Sequence, residues 1–386
     1  MPTTVINTSE NLRAGFIGGG LMGEVHSRAS RAAGAELFGI ASSTETSAIQ
    51  ARNRLGFTHA YSSVDELLAD DRLDVVHVCT PNASHASLAK AVLESGKSVV
   101  CEKPLATTAA DALELANLAD SSGLTAVVPF VYRFHPMVRE ARQRVRGGAV
   151  GRIFTIQASY LQDWLLSEND DDWRVDSALG GPSRAFADIG SHLCDLIEFV
   201  TGDRISRLNA QTRTVHANRI RHSGIDTEDV VAILFETHGG AVGTLLISQV
   251  AAGRKNRLSF EISAAHSSLV FDQENPDQLW IGQRDGFHAL ARDAQHLHAE
   301  AARYSLVPAG HPQGYQDAFN ALITDAYQSA AGNPPDGLPV FADGYRAAVL
   351  TEAVLESRST GEWVSTIETF DTSAVASGIT ANALAQ

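Results

Sequence analysis

The sequence predicts an α/β protein in two parts: a doubly wound N-terminal domain with a parallel sheet, then an α/β domain built on a large, mainly antiparallel open sheet. Three observations carry this. From Ala14 to about Val131, short Val/Ile-rich runs alternate with Ala/Leu-rich helical stretches. Those runs are apolar throughout, as in strands buried on both faces. Beyond Gly147-Gly148 the strand-like runs become longer and alternate in polarity, as in a sheet with one open face.

In chain order, the first strands are "AGFIG", "ELFGIA", "DVVHVCT", "SVVCE" and "TAVVPFVY". The helical stretch "ASLAKAVLESG" between two of them ends at Gly96, the residue type that closes helices. The second part reads as strands "RIFTIQASYLQ", "VVAILFET", "AVGTLLISQV", "RLSFEISA" and "SSLVFDQ". Gly239-Gly240 between the second and third of these marks a hairpin. Helices are expected over 187–200, 314–331 and 342–357. The domains are set at 1–132 and 133–370, with a mobile tail over 371–386, where the chain is small and polar.

The 386 residues suffice for two cores, and 44% hydrophobic with 19% charged residues is ordinary for a globular chain. Thirty Lys and Arg against 45 Asp and Glu give a net charge of −15, which argues against nucleic acid or anionic membranes as partners. The first residues show no basic segment followed by an apolar one, so no secretory leader is read there. Cys79, Cys101 and Cys194 lack paired spacing and read as reduced, buried thiols of a cytoplasmic protein.

The first strand runs into Gly18, Gly20 and Gly23, spaced G-x-G-x-x-G, with Leu21 and Met22 between the last two. Glycines there let backbone approach a pyrophosphate, and the next helix offers it free N–H groups. The surrounding strand and helix make this a Rossmann dinucleotide site. The second strand ends at Ser42 and Ser43, where an NAD-selective site would place a carboxylate for the ribose. Without that carboxylate a 2′-phosphate meets no repulsion. NAD or NADP is therefore the expected cofactor, with a lean toward NADP, although no arginine follows and Glu45 lies close.

Ligands of such sheets bind beyond the carboxyl ends of the strands. Thr80, Asn82 and His85 follow one such end, Glu102 and Lys103 another, and all five are candidates for the cofactor side. In "RAFADIGSHLCDLIEFVTG", Asp188 and His192 are four apart and share a helix face, with Asp195 near it. That stripe holds short carboxylates and an imidazole instead of the Lys and Glu of a solvent face. Surface and site weigh about evenly there on residue types alone. No clear third ligand accompanies Asp188 and His192, so no metal is expected.

"GFIGGGLMGEVH", "HVCTPNASH", "CEKPLA" and "DIGSHLCDL", in this order, resemble the Gfo/Idh/MocA family of nicotinamide-dependent sugar and polyol oxidoreductases, over about residues 13 to 365. The resemblance implies that Lys103, Asp188 and His192 form the catalytic group. It points to Tyr132, Gln162, Trp164 and Arg174 as the lining of a sugar pocket, with Tyr315 and His311 as weaker candidates. It also implies a homodimer or homotetramer assembled through the open sheet. Aromatic rings suit the C–H face of a sugar and the polar groups its hydroxyls. The substrate class is a monosaccharide, glycoside or inositol-like polyol, and the absence of a phosphate-clamping cluster favours a neutral one.

Alcohol oxidation needs a hydride acceptor, a base and stabilisation of the alkoxide. His192 is expected to take the proton, Lys103 to steady the oxygen, and Asp188 to orient the imidazole. The competing assignment makes Lys103 the base, which requires its free pKa of ~10.4 to fall by several units. Two other functions are compatible with the motifs: a glycoside-processing enzyme that oxidises transiently with a tightly bound cofactor, and a non-catalytic dinucleotide sensor. The presence of Lys103, Asp188 and His192 together speaks against the sensor.

Overall fold

The structure, a computed structural model, describes residues 12–366. The N-terminal segment read for a leader and the tail over 371–386 lie outside them. Six parallel strands form the first sheet: β1 (Arg13–Ile17), β2 (Glu36–Ala41), β3 (His59–Ala60), β4 (Val75–Val78), β5 (Ser98–Cys101) and β6 (Ala126–Val127), in the order β3-β2-β1-β4-β5-β6. Phe16, Ile40, Val76, Val78, Val99 and Val100 in these strands are buried, because helices cover both faces. The covering helices include α1 (Leu21–Ala32), α2 (Glu45–Leu55), α3 (Val64–Leu68), α4 (His85–Glu94) and α5 (Ala109–Ser122). Their ends obey local chemistry. Thr44, Ser63 and Thr108 accept backbone N–H bonds as N-caps, and left-handed Gly56 and Gly123 close α2 and α5.

The run "TAVVPFVY" yields only the two-residue β6 instead of a long strand. Pro129 has no N–H to give a ladder, and the chain turns through a short 3₁₀ helix over Val131–Phe134. A helix that the sequence reading did not anticipate, α6 (Pro136–Arg146), then leads to the second sheet.

That sheet has nine strands in the order β14-β13-β12-β11-β7-β10-β9-β8-β15. They are β7 (Ile153–Leu161), β8 (Ile205–Arg213), β9 (Val230–Thr237), β10 (Val242–Ser248), β11 (Arg257–Ala264), β12 (Ser268–Asp272), β13 (Gln278–Gln283), β14 (Gly286–Ala291) and β15 (Val364–Ser365). All pairs are antiparallel except β7 with β10. The β9–β10 hairpin turns at Gly240, with φ +83°. Between the strands lie α7 (Ser177–Gly180), α8 (Ser191–Thr201), α9 (Ala299–Ala302), α10 (Tyr315–Ala330) and α11 (Phe341–Thr360). Helices α6, α8 and α11 lie against one face of the sheet. Leu234, Val242 and Leu246 are exposed on the other.

The loop over 162–176 is tied to the β8–β9 connection. Arg219, fully buried at its side chain, donates to the carbonyls of Leu165, Ser167 and Asp170 and pairs with Asp229 at 2.8 Å. His222 meets Asp171 at 2.5 Å. Leu165, Val175 and Ile225 form a small apolar core beneath. Among the described residues, no helix is long and apolar enough to cross a membrane.

Candidate active site

A cavity of about 590 Å³ opens where the carboxyl ends of the first sheet face the second. Strand order reverses between β1 and β4, and ligands of doubly wound sheets bind beyond that point. Leu21, Met22, Thr80, Asn82, His85 and Glu102 line it from the first sheet's side, together with Lys103. Lys103, Asp188 and His192, chosen as one catalytic group, all face this cavity.

The glycine loop fits a dinucleotide. Gly18 has φ +99°, and a Cβ there would stand 2.4 Å from the Cys79 carbonyl oxygen. A Cβ on Gly23 would stand 2.5 Å from the Gly18 carbonyl oxygen. Gly20 faces open space and caps α1 without a side-chain bond, leaving the first N–H groups of the helix free for an anion. Ser42 and Ser43 lie outside the cavity lining, at the end of β2, with Ser43 exposed. Thr44 spends its hydroxyl on capping α2.

Lys103 reaches from the end of β5 to the second half of the chain. Its Nζ donates to Asp188 Oδ1 at 2.5 Å and to the Asp188 carbonyl at 2.8 Å. An ammonium has three N–H groups, so one is left for a ligand. Asp188 Oδ2 accepts from Gln249 Nε2 at 2.8 Å, and Arg174 Nε stands 3.7 Å from Oδ1. Burial pushes the Asp188 carboxyl up, but the Lys103 and Arg174 charges outweigh it and hold it at about 2.

Asp188 is spent on Lys103 and Gln249. It makes no hydrogen bond to His192, contrary to the orienting role expected of it. The His192 ring is held instead edge-on to Phe130 and Tyr132, with centroids at 5.6 and 5.2 Å. Its Nδ1 is buried and has no hydrogen-bond partner among the described residues. Burial first, and then the Lys103 charge, lower it to about 3. His192 is therefore a neutral ring across the neutral range, and protonating it would bury an unpaired N–H.

Asp195 is not near this face. It pairs with Arg133 and lines a different cavity, where burial pushes it up to about 7 despite Arg133. The cause is a π turn over Phe186–Gly190 that underwinds the start of the helix, so a seven-residue step no longer returns to the same side. Gly190 permits it, since a Cβ there would stand 2.6 Å from the Phe186 ring.

The opposite wall carries Tyr132, Gln162, Trp164, Arg174 and Tyr315, as the resemblance implied, and His311 is exposed elsewhere. Tyr132, Gln162 and Trp164 are linked through two that sequence reasoning missed, Tyr160 and Asn256. Tyr160 donates to Asn256 Oδ1 at 2.7 Å, and Asn256 Nδ2 donates to the Tyr132 hydroxyl at 3.1 Å. The Tyr132 hydroxyl closes the ring onto Tyr160. Gln162 donates to Asn256 at 2.8 Å and accepts from Trp164 Nε1 at 2.8 Å. Trp173 and Asp172 line the cavity beside Arg174, which pairs with Asp172 at 3.0 Å. Gln249 was also missed. No local pattern marks Gln249 or Asn256, which reach the site only through sheet pairing. His85 faces the cavity, but both its ring nitrogens sit on backbone carbonyls, those of Pro104 at 2.7 Å and Thr80 at 2.8 Å. It braces the two cofactor-side loops against each other.

Known proteins match both halves of the chain. Residues 12–130 match the oxidoreductase family with an NAD-binding Rossmann fold, and 138–270 match the GFO/IDH/MocA C-terminal domain. Levoglucosan dehydrogenase of Pseudarthrobacter phenanthrenivorans is 30% identical, over 92% of this chain and 98% of its own. A D-xylose 1-dehydrogenase (NADP(+)) of Haloferax volcanii is 32% identical, over 46% of this chain and 54% of its own. The structure of levoglucosan dehydrogenase in complex with NADH and L-sorbose superposes with a TM-score of 0.87 at 31% identity, over 93% of this chain and all of that one. An inositol dehydrogenase homologue with NAD+ from Azotobacter vinelandii gives 0.84 at 26% identity, over 92% and 98%. The chain belongs to the Gfo/Idh/MocA family of nicotinamide-dependent oxidoreductases.

Proposed function

We propose that this protein moves a hydride between NAD(P) and a ring hydroxyl or ketone of a neutral monosaccharide, glycoside or inositol-like polyol. One observation carries the reading. Lys103, with one N–H unspent, and His192 share a cavity with a wall of Trp164, Trp173, Gln162 and Asn256. Aromatic faces with interleaved amides suit sugars. The lysine, arginine and carboxylates of the lining are Lys103 and Arg174 against Glu102, Asp172 and Asp188; Lys103 pairs with Asp188, Arg174 with Asp172 and Glu102 with His26, which supports an uncharged substrate. The named levoglucosan, xylose and inositol relatives support the same class.

When bound, the nicotinamide supplies the hydride chemistry. Gly18, Gly20, Gly23, Leu21 and Met22 would hold the dinucleotide, together with Thr80 and Asn82 of the same cavity wall. The exposed hydroxyl of Ser43, beside Ser42 and with no carboxylate at the end of β2, supports a lean toward NADP. Lys103 carries the proton: its ammonium gives it to the carbonyl oxygen as the hydride arrives in reduction, and the free amine takes it back from the hydroxyl in oxidation, while Asp188 fixes its position. His192, neutral, offers a second hydrogen bond to the same oxygen. This exchanges the proton roles expected from sequence, because Asp188 serves the lysine. The three unpaired thiols support a reducing compartment, the cytoplasm. The exposed Leu234, Val242 and Leu246 support a homodimer or homotetramer formed through the open sheet.

The test follows absorbance at 340 nm with levoglucosan, D-glucose, D-xylose and myo-inositol, each with NAD+ and with NADP+. Turnover of at least one, higher with NADP+, is expected. Tight cofactor binding without turnover of any neutral sugar would contradict the substrate class.

A further inference from the structure

Glu102 is the most buried carboxylate of the cavity wall and has no part in the proton chemistry assigned to Lys103. Its Oε1 meets His26 Nε2 at 2.7 Å, and its Oε2 accepts from the Lys103 backbone N–H at 3.2 Å. His26 Nδ1 meets His77 Nδ1 at 2.9 Å, and His77 Nε2 meets the Tyr327 hydroxyl at 2.8 Å. That hydroxyl meets Ser30 Oγ at 2.7 Å. His26, His77, Ser30 and Tyr327 are all buried, and His77 sits inside the apolar strand β4 against Phe16. Such polar groups persist in a core only when joined to partners.

Two nitrogens facing each other at Nδ1 share one proton, so the chain has two complete arrangements. In one, every bond points toward Glu102, both imidazoles are neutral, and the carboxylate stays negative. In the other, every bond points away, and an added proton rests between Glu102 and His26. The arrangements differ by one proton, and therefore by one unit of charge at the cavity floor.

We infer that Glu102, His26, His77 and Tyr327 form a proton-storing relay that follows the redox state of the bound cofactor. The oxidised nicotinamide is a cation and favours the bare carboxylate; the reduced ring is neutral and favours the protonated chain. The proton comes from solvent through the cavity that Glu102 lines. The other groups whose charge Glu102 feels are Lys103, His85, Arg174, His192, Tyr315, Cys79 and Cys101; burial pushes its carboxyl up, but the His26 hydrogen bond and the Lys103 charge outweigh this and hold it below the usual carboxylate range, so the proton is stored by the Glu102–His26 pair and not by the carboxyl alone. Of these, Cys79 and Cys101 lie in the apolar cores that flank the first sheet. Both thiols are pushed up by burial and stay neutral. His26 and Glu102 act here as positioning residues.

The inference rests on the cavity being a nicotinamide site, and the test separates the two. Dissociation constants of NAD+ and NADH are measured by fluorescence on the full-length protein from pH 5.5 to 9. In the wild type, the NADH-to-NAD+ ratio of dissociation constants is expected to rise with pH, by up to about tenfold per unit. His26→Gln and Glu102→Gln, each checked for an unchanged melting profile, are expected to flatten it. A flat wild-type ratio overturns the relay, as does a wild-type slope that survives His26→Gln. A wild type that binds neither dinucleotide overturns both the relay and the nicotinamide site.

Discussion

At the scale of single residues, the site turns on how many hydrogen bonds each group has already spent. Lys103 gives two of its three N–H groups to Asp188 and keeps one. Lys103→Ala is expected to lower kcat/KM by about 10³, within the range for losing a positioned proton donor. Its measurement by steady-state kinetics is accompanied by a pH profile. His192, lowered to about 3 by burial, stays neutral from pH 5 to 8 and contributes no inflection there. An acid limb near pH 6.5 that vanishes in His192→Ala would return the proton to the imidazole. Gln249 does not line the cavity, yet it holds the free oxygen of Asp188. Gln249→Leu is therefore expected to cut kcat by about tenfold with KM little changed, since it disturbs the ammonium's support and not the sugar wall. An unchanged kcat would remove Gln249 from the account.

At the scale of elements, each half of the site is supplied by a chain segment whose geometry leaves little choice. Gly18→Ala would drive a methyl into the Cys79 carbonyl at a position with φ +99°. The expected outcome is loss of NAD(P)H binding by at least about 100-fold in a fluorescence titration; retained affinity would separate the loop from the dinucleotide. The loop bearing Trp164 and Arg174 is anchored by Arg219 on Asp229. Arg219→Met removes a buried charge from a pair and is expected to cost roughly 3 kcal/mol in urea unfolding, with a raised KM for sugar. These elements were unequally legible in the sequence. The glycine loop, Lys103, Asp188 and His192 could be found because each motif fits within a dozen residues. The aromatic wall was partly legible because Gln162 and Trp164 lie close together in the sequence, while Tyr160 was read only as part of the strand "RIFTIQASYLQ". Asn256 and Gln249 were invisible because pairing of β7 with β10 and β11 brings them in from 94 and 61 residues away, to their partners Gln162 and Asp188. The π turn at Phe186–Gly190 escaped as well, since residue spacing alone assumes 3.6 residues per turn, and it misplaced Asp195.

At the scale of the whole molecule, two features reach beyond the site. Burial lowers His77, His135 and His192, with His135 at about 4. A histidine lowered on folding binds more protons when unfolded, so its contribution is complete above the unfolded value of ~6.5 and is lost as pH falls below it. Stability in urea is expected to drop between pH 6.5 and 5 by up to about 1.4 kcal/mol per unit for each such ring; a flat profile would contradict their burial as neutral groups. The open sheet face with Leu234 and Leu246 is expected to seal an oligomer. Leu246→Lys should shift the mass measured by light scattering to that of one chain, and a wild type that is already monomeric would refute that interface. The central claim is that an amine from the end of β5 and an imidazole from helix α8 meet on one sugar oxygen. The most direct measurement is a crystal structure of the protein with NADH and a turned-over neutral sugar. The account predicts one sugar oxygen within about 3 Å of both Lys103 Nζ and the His192 ring. A sugar bound with its reacting oxygen on neither group would contradict it.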